Sequence, residues 1–246
     1  MSVPNGYSLV FEDDFNGETL DMSKWAYRGN GKRRAGYNSP SQVFLKDGCL
    51  HIKQEYKNGE YGEGWYGGMI RANENFLRGY YEIRCICSKS VHSCDGSFWS
   101  AFWLQAPSPY DPEKSRGGIG PGGAEIDIIE CFSTKDGAYP VITSTIHCSG
   151  MKGSVAAQGG LDSSTVSRRI LPDACERFHT YALDWDENEY KFYIDDELVA
   201  VSIWGDGVSR VPQELIVSLE LPGNCVEAKD YTTEFVVDYV RVWQKK

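Results

Sequence analysis

Apolar and polar residues alternate in short stretches along almost the whole chain, and no long run carries apolar residues at helical spacing. Residues 42–45, 49–53, 79–87, 141–148, 190–194, 198–203, 215–221 and 235–243 each read as a half-buried strand. In 79–87, Tyr81, Ile83, Cys85 and Cys87 take one face and Tyr80, Glu82, Arg84 and Ile86 the other. In 215–221, Ser218 and Glu220 oppose Val217, Leu219 and Leu221. Residues 7–15 read as a first strand ending in acids, and 98–104, apolar on both faces, as a central strand. Lys46-Asp47-Gly48 between two alternations is a hairpin signal, and 179–203 reads as a meander with a turn at Asp195-Asp196. The Gly-, Ser-, Asn- and Pro-rich segments 28–41, 106–123 and 149–177 are expected to be long loops. About twelve short strands with turns about ten residues apart predict an all-β fold, a β-jelly-roll sandwich of two antiparallel sheets. With no repeat or linker, residues 1–246 are expected to form one domain.

Composition supports this picture and narrows the partners. The chain has 7 Trp, 15 Tyr and 26 Gly, which suits strands, turns and an aromatic-lined surface better than a helical bundle. A net charge of −10 argues against nucleic acid or an anionic membrane, which need an extended basic face. A membrane span would need about 18 consecutive apolar residues, a run this sequence lacks. The 8 cysteines show no zinc-type spacing, and a chain of this size needs no disulfides for a core, so most are read as small buried apolar residues. The one basic cluster is Lys32, Arg33 and Arg34 in the 28–41 segment. It is either a solvated loop or a cleft wall that touches anionic groups of a ligand.

Candidate chemistry lies in Glu125-Ile126-Asp127-Ile128-Ile129-Glu130. On an extended strand Glu125 and Asp127 share a face, with Ile126 and Ile128 opposite. Strict alternation would drive Glu130 into the apolar face, where an unpaired carboxylate costs several kcal/mol. A β-bulge at Ile128-Ile129 absorbs the odd residue and returns Glu130 to the face of the other two acids. Charge on a half-exposed strand is ordinary, but a third acid out of phase is not.

Two carboxyl groups, one ionised and one protonated, are what glycoside hydrolysis requires. In the retaining geometry they stand about 5 to 5.5 Å apart, so strand curvature must bring Glu125 and Glu130 together. Asp127 between them can hold Glu125 as a carboxylate while the negative charges raise the pKa of Glu130. Sugar rings pack their apolar faces on aromatic side chains, and Trp65, Tyr66, Trp99 and Trp103 precede the acids in strands expected to neighbour theirs.

The acidic stretch resembles the E-x-D-x-x-E signature of glycoside hydrolase family 16, in its bulge-containing laminarinase-like and agarase-like branch. Segments 11–17, 20–25, 79–84, 100–104, 179–181 and 237–242 agree with the family in order along nearly the whole chain. The resemblance implies a concanavalin-like jelly roll with an open cleft for an internal stretch of polysaccharide, cut by a retaining endo-β-glycosidase. It implies that Glu125 is the nucleophile, Glu130 the acid/base and Asp127 the residue assisting the nucleophile. Trp99, Trp103 and His147 match substrate-side positions, and Glu220 would face the cleft. No cofactor is implied for catalysis. Many members bind a structural Ca²⁺, for which Asp14, Gly48 and Asp238 occupy the corresponding places. The expected protein is a monomer acting on a polysaccharide or oligosaccharide, outside the cell or at its surface, because a polymer must be cut before it can enter.

Ser100 in place of the usual Pro, the Ile-Val-Ser-Leu-Glu-Leu-Pro-Gly run after Leu215 and the basic 28–41 segment depart from laminarinase-like members. They leave a galactan, sulfated or otherwise decorated, open beside a β-glucan. A lectin-like jelly roll without catalysis and a transglycosylase using the same residues are the alternative readings.

Overall fold

The computed structural model describes residues 3–90, 96–106, 123–134, 137–148, 162–203 and 207–245. The strands in chain order begin with β1 (Tyr7–Asp13), β2 (Trp25–Tyr27), β3 (Gly31–Arg33), β4 (Gly36–Asn38), β5 (Val43–Lys46) and β6 (Cys49–Gly59). They continue with β7 (Gly62–Phe76), β8 (Gly79–Ile86), β9 (Trp99–Gln105), β10 (Glu125–Ser133), β11 (Pro140–Cys148) and β12 (Asp162–Ile170). The last are β13 (His179–Trp185), β14 (Tyr190–Ile194), β15 (Glu197–Ser202), β16 (Gln213–Glu220) and β17 (Thr233–Lys245).

Two antiparallel layers result. In one, β17 pairs with β1, β6 and β8, and β13, β14 and β15 continue from β8 while β5 flanks β6. In the other the order is β2, β7, β16, β9, β10, β11, β12. Alternation sends Leu50, Ile52, Ile83, Leu183, Phe235 and Val237 of the first layer against Ile70, Phe102, Leu104, Ile126, Val217 and Leu219 of the second, forming one core. The other face of the second layer carries Trp99, Ala101, Trp103, Met69 and Ile216.

Turn chemistry sets the register where the sequence announced it. Asp47 and Gly48 both have positive φ, 53° and 73°, and join Lys46 to its partner Cys49 in a tight hairpin. Asp195 and Asp196, at φ 48° and 67°, do the same between Ile194 and Glu197.

Two expected loops contain strands. The 28–41 segment folds into the β3–β4 hairpin, and β4 lies parallel on β7, with Gly36, Tyr37 and Asn38 opposite Trp65, Tyr66 and Gly67. Residues 162–170 of the expected 149–177 loop form β12, which pairs with β11. The remaining loop expectations at 107–122 and 149–161 lie outside the described residues, as does Cys94. Among the described residues no disulfide forms; Cys49, Cys85, Cys87, Cys131 and Cys148 are buried thiols.

Candidate active site

The bulge falls in β10. Against β9, Asp127 faces Trp103 but Ile129 faces Phe102, so Ile128 is one residue in excess. Against β11, Asp127 faces Thr145 and Glu130 faces Thr143. Ile126, Ile128, Ile129 and Cys131 all pack in the core. Glu125, Asp127 and Glu130 therefore share the opposite wall, in a cavity of about 270 Å³.

Each acid has a different partner. Gln105 Nε2 donates to Glu125 Oε2 at 2.5 Å, Trp99 Nε1 donates to Glu130 Oε1 at 3.0 Å, and His147 Nε2 meets Asp127 Oδ2 at 2.9 Å. Burial pushes Glu125 up to about 7, and the charge of Asp127 adds to this, while His147 and the Gln105 bond pull downward. Burial and then Asp127 push Glu130 well above the usual carboxylate range. For His147 burial lowers the pKa, but the bond to Asp127 and the three carboxylates outweigh it and bring it up to about 9. Near neutral pH the imidazole is a cation clamped on Asp127. The ligand atoms of Glu125, Asp127 and His147 lie within 4.8 Å of one another, with Asp127 and His147 bonded to each other.

The facing wall is basic. Arg33 Nη2 and Arg34 Nη1 both reach Glu220 Oε2, at 2.6 and 3.1 Å, while the buried Glu220 Oε1 accepts no hydrogen bond from the described residues. Arg34 also stacks over Trp99, 4.8 Å from the ring centroid. Arg28 stacks over Trp103 at 5.3 Å and pairs with Glu214 at 3.2 Å. Lys32 sits outside this wall, over the Tyr37 ring. The Arg33 and Arg34 guanidinium groups thus share the single Glu220 carboxylate beside the acids.

The expected aromatics divide. Trp99 and Trp103 line the cavity, and Trp103 Nε1 donates to Ser218 at 3.1 Å. Trp65 and Tyr66 do not line it. Trp65 turns into the core, edge-on to Phe98 at 4.9 Å, because its stretch of β7 is clamped between β4 and β6. Tyr66 is fully buried beneath Tyr37 and Tyr61 and bonds the turn at Tyr61 and Gly62.

The acidic residues expected to hold calcium make ion pairs in this structure. Asp14 Oδ1 binds Arg241 Nη2 at 2.8 Å, and Asp238 binds Arg84. Gly48 lies in the β5–β6 turn.

Residues 9–245 match the family model described as "Beta-porphyranase A-D, GH16 domain". The chain belongs to glycoside hydrolase family 16. It is an endo-β-glycosidase of the class that acts on β-glucans or β-galactans. Beta-porphyranase E of Zobellia galactanivorans is 30% identical over 217 residues, covering 79% of this chain and 69% of that protein. Glucan endo-1,3-beta-glucosidase A1 of Niallia circulans is 25% identical over 277 residues, covering 98% of this chain and 38% of that protein. The chain thus spans well under half the length of the Niallia enzyme. In fold, it superimposes on the laminarinase catalytic domain of Thermotoga maritima with a TM-score of 0.71 and 23% identity, covering 98% of this chain and 100% of that one.

Sequence reasoning missed Arg28, Gln105 and Glu214. Gln105 was within reach, since continuing the alternation of Trp99, Ala101 and Trp103 by one step places it on the same wall. Arg28 had no such signal, because its partners are 77 and 186 residues away.

Proposed function

We propose that the cleft takes an anionic β-galactan of the porphyran type and cuts it internally with retention at the anomeric carbon. The observation that carries this reading is the meeting of two walls, the acids of β10 and the arginine pair on Glu220. Glu130 gives its proton to the glycosidic oxygen as Glu125 attacks the anomeric carbon, so that one C–O bond breaks and a glycosyl-enzyme ester forms. Glu130, now a carboxylate, takes a proton from water, whose oxygen attacks the same carbon and releases Glu125. Asp127, clamped by His147, stays between them as the polar spacer. Trp99 and Trp103 offer faces for sugar rings, and Arg33 and Arg34 meet a sulfate ester of the chain. Similarity to the porphyranase family model and to a porphyranase relative supports this substrate over a neutral glucan.

The test is a panel of porphyran, agarose, laminarin and mixed-linkage glucan, with fragment sizes read at early times. Porphyran should be cut to oligosaccharides fastest, and its desulfated form slowly. Arg33→Ala and Arg34→Ala should each raise KM on porphyran about tenfold, the order of one lost charge-assisted hydrogen bond. Faster cleavage of laminarin than of porphyran would remove the sulfated substrate.

The hairpin that carries the arginines gives a second handle. A Cβ on Gly36 would overlap the carbonyl of Trp65, so Gly36→Ala must push β4 off β7. We expect a several-fold rise in KM with kcat little changed, measured by initial rates on the preferred polysaccharide.

A further inference from the structure

Glu125, Gln105 and Glu214 stand opposite one another across three adjacent strands: Glu125 faces Gln105 between β10 and β9, and Gln105 faces Glu214 between β9 and β16. Arg28, which follows β2, closes the row. Its Nη2 donates to Gln105 Oε1 at 2.5 Å, its Nε donates to Glu214 Oε2 at 3.2 Å, and its plane lies over Trp103. Gln105 Nε2 then donates to Glu125 Oε2 at 2.5 Å.

The chemistry of these groups makes the row directional. An amide can turn either end towards a neighbour, but a guanidinium has only donors. Arg28 therefore claims the amide oxygen and leaves the NH₂ for Glu125. A donor aimed at a carboxylate favours its charged form and fixes which oxygen remains to react. Glu214 in turn fixes Arg28, with Arg71 Nε 3.8 Å from its other oxygen.

We propose that Arg28 and Gln105 are positioning residues that hold Glu125 ionised and aimed at the anomeric carbon. This rests on the reading of Glu125 as nucleophile. The need is real, because the groups around Glu125 mostly oppose its charge. Asp127 and Glu130 share its strand, and Glu220 and Glu214 stand on β16. His147 on β11 favours the charge but is bonded to Asp127, while Arg33 and Arg34 are held by Glu220. Gln105 is the donor that touches Glu125 itself, and Arg28 decides which end of it does so.

The experiment is the pH profile of kcat/KM, whose acid limb follows ionisation of the nucleophile in the free enzyme. Gln105→Leu should move that limb upward by about one pH unit, the scale of one hydrogen bond to a charged group. The rate should fall about tenfold below the limb and recover towards the parent above it. Arg28→Met, which frees the amide to turn, should move the limb the same way, and Arg28→Lys, which restores a donor-only cation, should bring it back. Gln105→Met repeats the test if the leucine variant folds poorly, with thermal unfolding followed for every variant. A loss that is uniform across pH, with the limb unmoved, overturns the relay. Retained turnover in Glu125→Gln overturns the nucleophile reading instead, so the two failures are distinguishable.

Discussion

Glu125→Gln is expected to lower kcat on polysaccharide by about 10⁴-fold or more, the scale seen when one member of a catalytic group acting as a unit is removed. The amide keeps the shape of the side chain on β10, so the fold and the affinity for an oligosaccharide should stay close to the parent. Turnover by quantified reducing ends and affinity by calorimetry give the two numbers separately. A non-catalytic jelly roll would have no turnover to lose, and an enzyme whose rate survives the substitution would use another nucleophile. Early products of the parent enzyme, read by NMR, should carry the β-anomer, because attack by Glu125 and then by water inverts the same carbon twice.

Glu130→Gln should be nearly as damaging on polysaccharide, about 10²- to 10⁴-fold, the range for losing a positioned general acid/base. Its signature lies elsewhere. An aryl glycoside with a good leaving group needs little protonation, so its first step should survive. The second step still needs a base to deprotonate water, so the glycosyl-enzyme should accumulate and appear as an added mass on the intact protein. Equal losses on polysaccharide and aryl substrate, with no added mass, would remove Glu130 from the acid/base role. Burial first, and then the charge of Asp127, raise the pKa of Glu130 well above the usual carboxylate range, which favours the protonated form a general acid needs. The basic limb of the rate profile should therefore lie well above that of an ordinary glutamate, and vanish in the variant.

How much of this was legible in the sequence depended on the range of the forces involved. The three acids were placed by local arithmetic, since a strand turns its side chains every residue and an odd spacing needs a bulge. Trp99 and Trp103 sit in a stretch apolar on both faces, so their place at the site came from the packing of sugar rings on aromatics and from the family resemblance. Trp65 and Tyr66 were misplaced, because which face they take depends on β4 and β6 gripping that part of β7. The same contact makes β3 and β4 strands at all: six residues rich in Gly, Lys and Arg gain their order from docking on β7, not from any pattern of their own. At β12, Asp-Ser-Ser-Thr-Val-Ser-Arg-Arg-Ile hardly alternates, because it pairs with β11 on one side only and buries little beyond Ser167. The calcium expectation came from resemblance alone, and the guanidinium partners of Asp14 and Asp238 are visible only in three dimensions.

The excess residue in β10 also makes the length of that strand unusually forgiving at one place. Loss of either Ile128 or Ile129 would restore plain alternation and leave all three acids on the wall with their spacing kept, because Asp127 and Glu130 already face partner residues only two apart, Trp103 and Ala101 on β9 and Thr145 and Thr143 on β11. Loss of Ile126 would instead put Asp127 and Glu125 on opposite faces. A single-residue deletion, ordinarily ruinous inside a strand, is at Ile128-Ile129 only the removal of the bulge. The gap between the two reacting carboxyl groups is therefore set by the neighbouring strands β9 and β11 and not by the number of residues that β10 spends between them.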